Sequence, residues 1–150
     1  YPDWVDSPPD LCTVGIQKVR STTGKAMTFA MSKARDAMSM KIETKVGTMV
    51  KKYTSEGGTM DGDYSEEKMT AASKQVSKTT LSGTSRKARF VAQEGDTREL
   101  YVLVCLNPGT LTKAIDNMKV LGEKAREALT KRANKEHEEL QNDLKNYDKF

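Results

Sequence analysis

Two cysteines, one histidine and a short acidic cluster are the side chains of this chain with obvious chemical capacity. His137 lies within KEHEE, on a strongly charged stretch. Histidine catalysis needs a nucleophile or a second acid at a recognisable spacing, and no such motif accompanies it. Asp61-Gly62-Asp63, near Glu66 and Glu67, offers oxygen donors of the kind calcium takes. The cluster lacks the twelve-residue spacing of an EF-hand loop. Asp63 or Ser65 as a helix cap is the better reading. Cys12 and Cys105 belong to no CxxC and have no third ligand, so no zinc site is expected. STTGKAM carries a Gly-Lys but not the leading glycine and spacing of a P-loop. GTSRKARF is basic with one aromatic and could touch phosphates. It reads equally as an edge strand protected by charge, so no nucleic-acid partner is expected. The chain is expected not to be an enzyme and to carry no cofactor and no metal.

The elements that would position these residues must come from one modest core. The chain has 150 residues, of which 36% are hydrophobic and 31% charged, enough for one domain with much solvated surface. The net charge of +4 permits an anionic partner without selecting one, because the lysines are spread among acids. No apolar run is long enough to span a bilayer. A start at Tyr1 without Met reads as a processed or trimmed chain, and the part upstream is where targeting information is expected.

Residues 1–10, YPDWVDSPPD, read as an extended, proline-rich clasp with Trp4 and Val5 packed on the domain edge. Residues 11–20 read as a strand that places Cys12, Val14 and Ile16 on one face. Gly15 inside it marks a bulge or a close backbone approach. Residues 21–54 read as a long helix, capped by Ser21, Thr22 or Thr23. Its stripe is Ala26, Ala30, Ala34, Met38, Ile42, Val46, Met49 or Val50, and Tyr53. The small residues of the first half suit close packing on a sheet, and the far half needs another partner. A turn-rich loop over 55–64 leads to a helix over 65–82, with a weak stripe of Met69, Ala72, Val76 and Thr80, forming a helical hairpin. Residues 85–94 and 99–106 read as strands joined by a tight turn, and LYVLVCL as the central strand. Residues 110–150 read as one long helix. Leu111, Ile115, Met118, Gly122, Ala125 and Leu129 repeat at heptad-like spacing, and Leu140, Leu144 and Tyr147 resume the stripe after KRANKEHEE. The polar end reads as an extension, a coiled-coil segment or a frayed tail.

The expected fold is α+β. A small three-stranded βαββ sheet is packed by a long helix, with a helical hairpin inserted over about 40–82 and a long C-terminal helix. Residues 1–109 form the domain and residues 110–150 the extension. A helical crossover makes strands one and two parallel, with strand three antiparallel between them. Cys12 and Cys105 then fall at neighbouring strand ends. A disulfide is geometrically open to them and suits an oxidising compartment; two buried free thiols are the alternative.

YPDWVDSPP, then CTVGIQKV, then AMTFAMSKARDAMSMKIETKV, closing on LYVLVCLNP, resembles the Lpp-twenty family of bacterial envelope lipoproteins over roughly residues 2–108. The markers are a Pro-x-Trp-Val opening, a Val-Gly in strand one, an Ala-Arg-x-Ala helix and a Tyr-Val-Leu strand. The resemblance implies a βαββ core, export by a lipoprotein signal peptide and an acylated cysteine upstream of Tyr1. That would hold the protein at the outer membrane, on its periplasmic face or at the cell surface. One branch of the family resembles the flagellar lipoproteins that build basal disks or rings around the motor. The over-long first helix, the helical hairpin and the heptad-like last helix suit that branch.

These features lead to a non-catalytic, self-assembling structural lipoprotein as the expected function, with itself and flagellar or other envelope proteins as partners. Surplus amphipathic surface would make the subunit contacts. Val46, Met49 and Val50 on the first helix and Ile115, Met118, Ala125 and Leu129 on the last are the candidate interface. The alternative is a monomeric surface lipoprotein with a groove beside Trp4 for a small molecule or an envelope polymer.

Overall fold

The structure, a computed structural model, describes residues 1–59, 65–118 and 120–145. The expectations placed on Asp61, Asp63 and Tyr147 lie outside the described residues. In chain order the elements are α1 (Asp3–Asp6), β1 (Cys12–Lys18), α2 (Thr23–Ser55), α3 (Glu66–Leu81), β2 (Thr84–Glu94), β3 (Thr97–Leu106), α4 (Thr110–Asp116) and α5 (Glu123–Lys145). The sheet order is β1-β3-β2, and β3 is antiparallel to both neighbours. The fold is α+β, with the apolar LYVLVCL segment in the central strand.

Residue size explains how α2 meets the sheet. Ala26, Ala30 and Ala34 are buried against Leu100, Val102 and Val104 of β3. Thr13 donates its hydroxyl to the Ala34 carbonyl at 2.7 Å. At Gly15 the two backbones come so close that a Cβ would lie 1.9 Å from the Ala30 carbonyl oxygen. Gly15→Ala therefore pushes α2 off β1, and overpacking of this kind costs about 1–3 kcal/mol. Urea denaturation checks this: an unchanged midpoint would mean that the backbones are farther apart.

The far half of α2 outruns the sheet. At 1.5 Å per residue α2 is about 50 Å long, whereas β1 reaches only about 23 Å. Met38, Ile42, Val46, Met49 and Val50 continue the stripe into a helical layer. There they share one core with Met69 and Val76 of α3, Leu111 and Ile115 of α4, and Ala125, Leu129, Ala133 and Leu140 of α5. Thr22 caps α2 by accepting from the Lys25 amide, and Ser65 caps α3 by accepting from the Lys68 amide.

Four expectations are corrected. Residues 110–150 are not one helix: α4 ends at Asp116, and α5 begins at Glu123. The chain reverses between them, so Asn134 and His137 of α5 lie beside Thr112 and Leu111 of α4. The segment after residue 109 is thus no appended extension, since Leu111 through Leu140 complete the same core as β3. The proposed assembly surface is lost for the same reason. Val46, Met49, Val50, Ile115, Met118, Ala125 and Leu129 are all buried within the single chain, facing one another across the helical layer. Finally, the clasp is not wholly extended. Asp3–Asp6 make one helical turn behind Pro2, and Trp4 is fully buried rather than at an edge.

Cys12, Val14 and Ile16 do share a face of β1, but it is the face turned away from α2. Cys12 is buried, Val14 half-buried and Ile16 42% exposed. The N-terminal residues lie over this side. The Tyr1 ring stands 5.4 Å from Phe90 and 5.7 Å from Tyr101, with Val5 packed on the core beside them.

Candidate functional site

A groove of about 830 Å³ runs between the far half of α2 and α5. The two helices run antiparallel there, because Lys45 pairs with Glu136 while Arg132, one turn earlier on α5, pairs with Glu56 beyond the end of α2. Met40, Thr44 and Thr48 line it from one row of α2; Lys41, Lys45 and Lys52 line it from the next. From α5 come Arg132, Lys135, Glu136 and Glu139, and Asp10 closes the head of the groove from the loop before β1. Five cations and three carboxylates thus face one groove. Met40 stands at its rim, 71% exposed.

Lys45 is the electrostatic centre. Its Nζ donates to Asp10 Oδ2 at 2.5 Å and to Glu136 Oε1 at 2.8 Å. Burial works against its charge, but these two carboxylates more than offset that and raise its pKa above the usual lysine value. Asp10 mirrors it. Burial opposes its charge too, yet the Lys45 hydrogen bond and the Lys45 and Lys41 charges hold its carboxyl below the usual value. Lys41 is different. Its Nζ donates to the Cys12 carbonyl at 2.8 Å and more weakly to that of Pro9, and it has no ion-pair partner among the described residues. Burial pushes its pKa down. Glu136 Oε2 is buried and has no hydrogen-bond partner among the described residues. The groove therefore carries Lys41, Lys52 and Lys135 without ion-pair partners among the described residues, while Glu136 Oε2 is closed off from solvent behind its wall.

Cys12 and Cys105 are opposite each other in the β1–β3 register and are joined by a disulfide. The disulfide and the groove are linked through β1, since the Cys12 carbonyl receives Lys41 and Asp10 lies two residues before Cys12. Trp4 lies fully buried inside the core, so its ring offers no exposed face to a groove. Arg86, Lys87 and Arg89 of the GTSRKARF segment are exposed on the edge strand β2. The Gly-Lys of STTGKAM lies in the first turn of α2.

His137 is the residue whose surroundings the sequence hid most. It is buried despite its charged neighbours, and its Nε2 accepts the Leu111 amide at 3.2 Å. It serves as an N-terminal cap for α4, supplying from another helix the acceptor that a local side chain usually provides. Nε2 must be unprotonated to accept, so the proton sits on Nδ1, which is buried without a partner among the described residues. Burial lowers the His137 pKa from 6.5. The unfolded chain then binds the proton more readily than the folded one. The stabilisation is full above about pH 6.5 and is lost as pH falls through the lower folded value. Thermal melts of the wild type should show a midpoint that drops between pH 7.5 and 5. In His137→Leu this part of the pH dependence should disappear, leaving a lower but flatter profile. An equal drop in both proteins would assign the effect to other groups.

No protein-family model matches the chain, and no curated protein matches it. The likeness to the Lpp-twenty lipoproteins rests on the sequence segments quoted above.

Proposed function

We propose that this is a non-catalytic protein of the bacterial envelope that works as a monomeric binding domain, with the α2–α5 groove as its binding surface. The observation that carries this reading is the groove's unspent charge: a half-buried Lys41 that meets only backbone carbonyls, with Lys52 and Lys135 also lacking ion-pair partners among the described residues. Solvent-facing helices ordinarily pair such groups or leave them fully hydrated. An oxidising envelope compartment suits the buried Cys12–Cys105 disulfide. The resemblance to the Lpp-twenty lipoproteins points to the outer membrane.

Titration of the ¹⁵N-labelled protein with purified peptidoglycan fragments, lipopolysaccharide core oligosaccharide and phospholipid micelles tests the reading. Amide shifts are expected from Met40 to Lys52 and from Arg132 to Glu139. A panel in which no component moves those amides would overturn it.

Self-assembly into an envelope scaffold, with a flagellar disk as its largest form, keeps one physical support. The sheet face bearing Tyr1, Ile16, Phe90 and Tyr101 is only partly covered, and Tyr1 is 66% exposed. Light scattering over a concentration series separates the two readings. Growing assemblies abolished by Ile16→Lys favour the scaffold, and a monomer at every concentration favours the binding domain.

A further inference from the structure

Resting on that reading, we infer that the groove takes an extended acidic glycan: a hydroxyl-rich chain carrying spaced carboxylate or phosphate groups. Three features of the groove lead to this class. The first is charge spacing. Lys41 and Lys52 stand about 16 Å apart along α2 by helical rise, and neither has an ion-pair partner among the described residues. One small anion cannot reach both, whereas an elongated polyanion can. The second is the middle of the groove. Between the two lysines lie the hydroxyls of the exposed Thr44 and Thr48 and the carboxylate of Glu136. A sugar hydroxyl both donates to and accepts from the threonines, while an anion at that point would meet the Glu136 carboxylate and be repelled. The third is the apolar content. Among the described residues, Met40 and Met49 are the only apolar side chains lining the groove, and no aromatic ring lines it. Single-stranded nucleic acids use aromatic platforms for their bases, and acyl chains need a continuous apolar channel, so both fit poorly.

The groove's own cluster also sets where ligand anions bind. Lys45 is already neutralised by Asp10 and Glu136. The exposed Lys52 and Lys135 hold no such partner among the described residues, which leaves them open to ligand anions.

The test uses the whole chain and four probes: an oligogalacturonate hexamer, a phosphorylated lipopolysaccharide core oligosaccharide freed of lipid, cellohexaose as the neutral chain, and a thymidine hexanucleotide. At least one acidic glycan should bind one-to-one and shift amides in both walls of the groove. The tighter of the two acidic glycans assigns the anion as carboxylate or phosphate. Binding should weaken as the Debye length shrinks from roughly 30 Å to roughly 8 Å between low and physiological salt. In K52Q/K135Q, two exposed substitutions that leave the core untouched, affinity should fall about tenfold. Cellohexaose binding as tightly as the acidic chains would overturn the acidic class while leaving the groove as a binding surface. So would a hexanucleotide that binds more tightly than either glycan. If neither acidic glycan moves the groove amides, the inference fails. The binding-domain reading fails only if the envelope panel leaves them unmoved as well.

Discussion

Leu129→Lys unfolds the protein. Leu129 is fully buried on α5 and packs within the cluster that joins α2, α4 and α5. Removing its side chain alone costs about 2–5 kcal/mol. Placing an ammonium there adds several kcal/mol more, because no Asp or Glu is buried among the described residues to pair with it. Together these approach the whole stability of an ordinary domain, about 5–15 kcal/mol. Far-UV circular dichroism and a thermal melt should show loss of the cooperative transition. Glu substituted for the neighbouring exposed Lys131 should change stability by less than about 0.5 kcal/mol. The experiment also decides between two views of one stripe. If Leu129 were a subunit contact, the lysine variant would stay folded and lose only its assemblies. A folded Leu129→Lys with a wild-type melting midpoint would return the stripe to the surface.

Where one element sufficed to set burial, the sequence was legible. Ala26 through Val50 recur at helical spacing, and every one of those stripe positions is buried. The alternation and turn signals likewise gave the three strands and the central place of β3. The C-terminal third was harder because its pattern fits two geometries. Gly122 falls on the four-three repeat, so the stripe from Leu111 to Leu129 runs unbroken through a point where the chain reverses. Within KRANKEHEE the buried row is only Ala133 and His137, four residues apart, and the charges around them hide so narrow a stripe. The groove was out of reach for a related reason. Lys41, Lys45 and Lys52 border the apolar row of α2 and read as its solvated flank. Only the antiparallel docking of α5 brings Glu136 and Lys135 to them, and only the path before β1 brings Asp10. The length of α2 signalled that something must cover its far half, without saying that the same chain would do so.

Removing the disulfide should have the second-largest effect, and should act on the groove as well as on stability. Cys12 and Cys105 are 93 residues apart in sequence, so the bond closes a loop that includes most of the fold. Chain-entropy arguments put such a crosslink at about 3–5 kcal/mol, exerted mainly on the unfolded state. Cys12→Ala/Cys105→Ala should stay folded at room temperature, because the β1–β3 ladder and the α2 contacts remain. Its melting midpoint should fall by roughly 10 °C or more. Both sulfurs belong to fully buried residues, so a reductant should reach the bond only as the structure opens. Reduction of the wild type should thus be slow under native conditions and fast in urea. The effect on the groove follows from the start of β1. The Cys12 carbonyl holds Lys41, and Asp10 just before it holds Lys45. With the crosslink gone, this end of β1 is free to fray, and both lysines lose a fixed partner. The amides at the start of β1, from Cys12 to Val14, should then exchange with solvent sooner than those of Leu103 and Val104 in the central strand. A midpoint identical to the wild type under both oxidising and reducing conditions would mean that the two cysteines are not joined in solution.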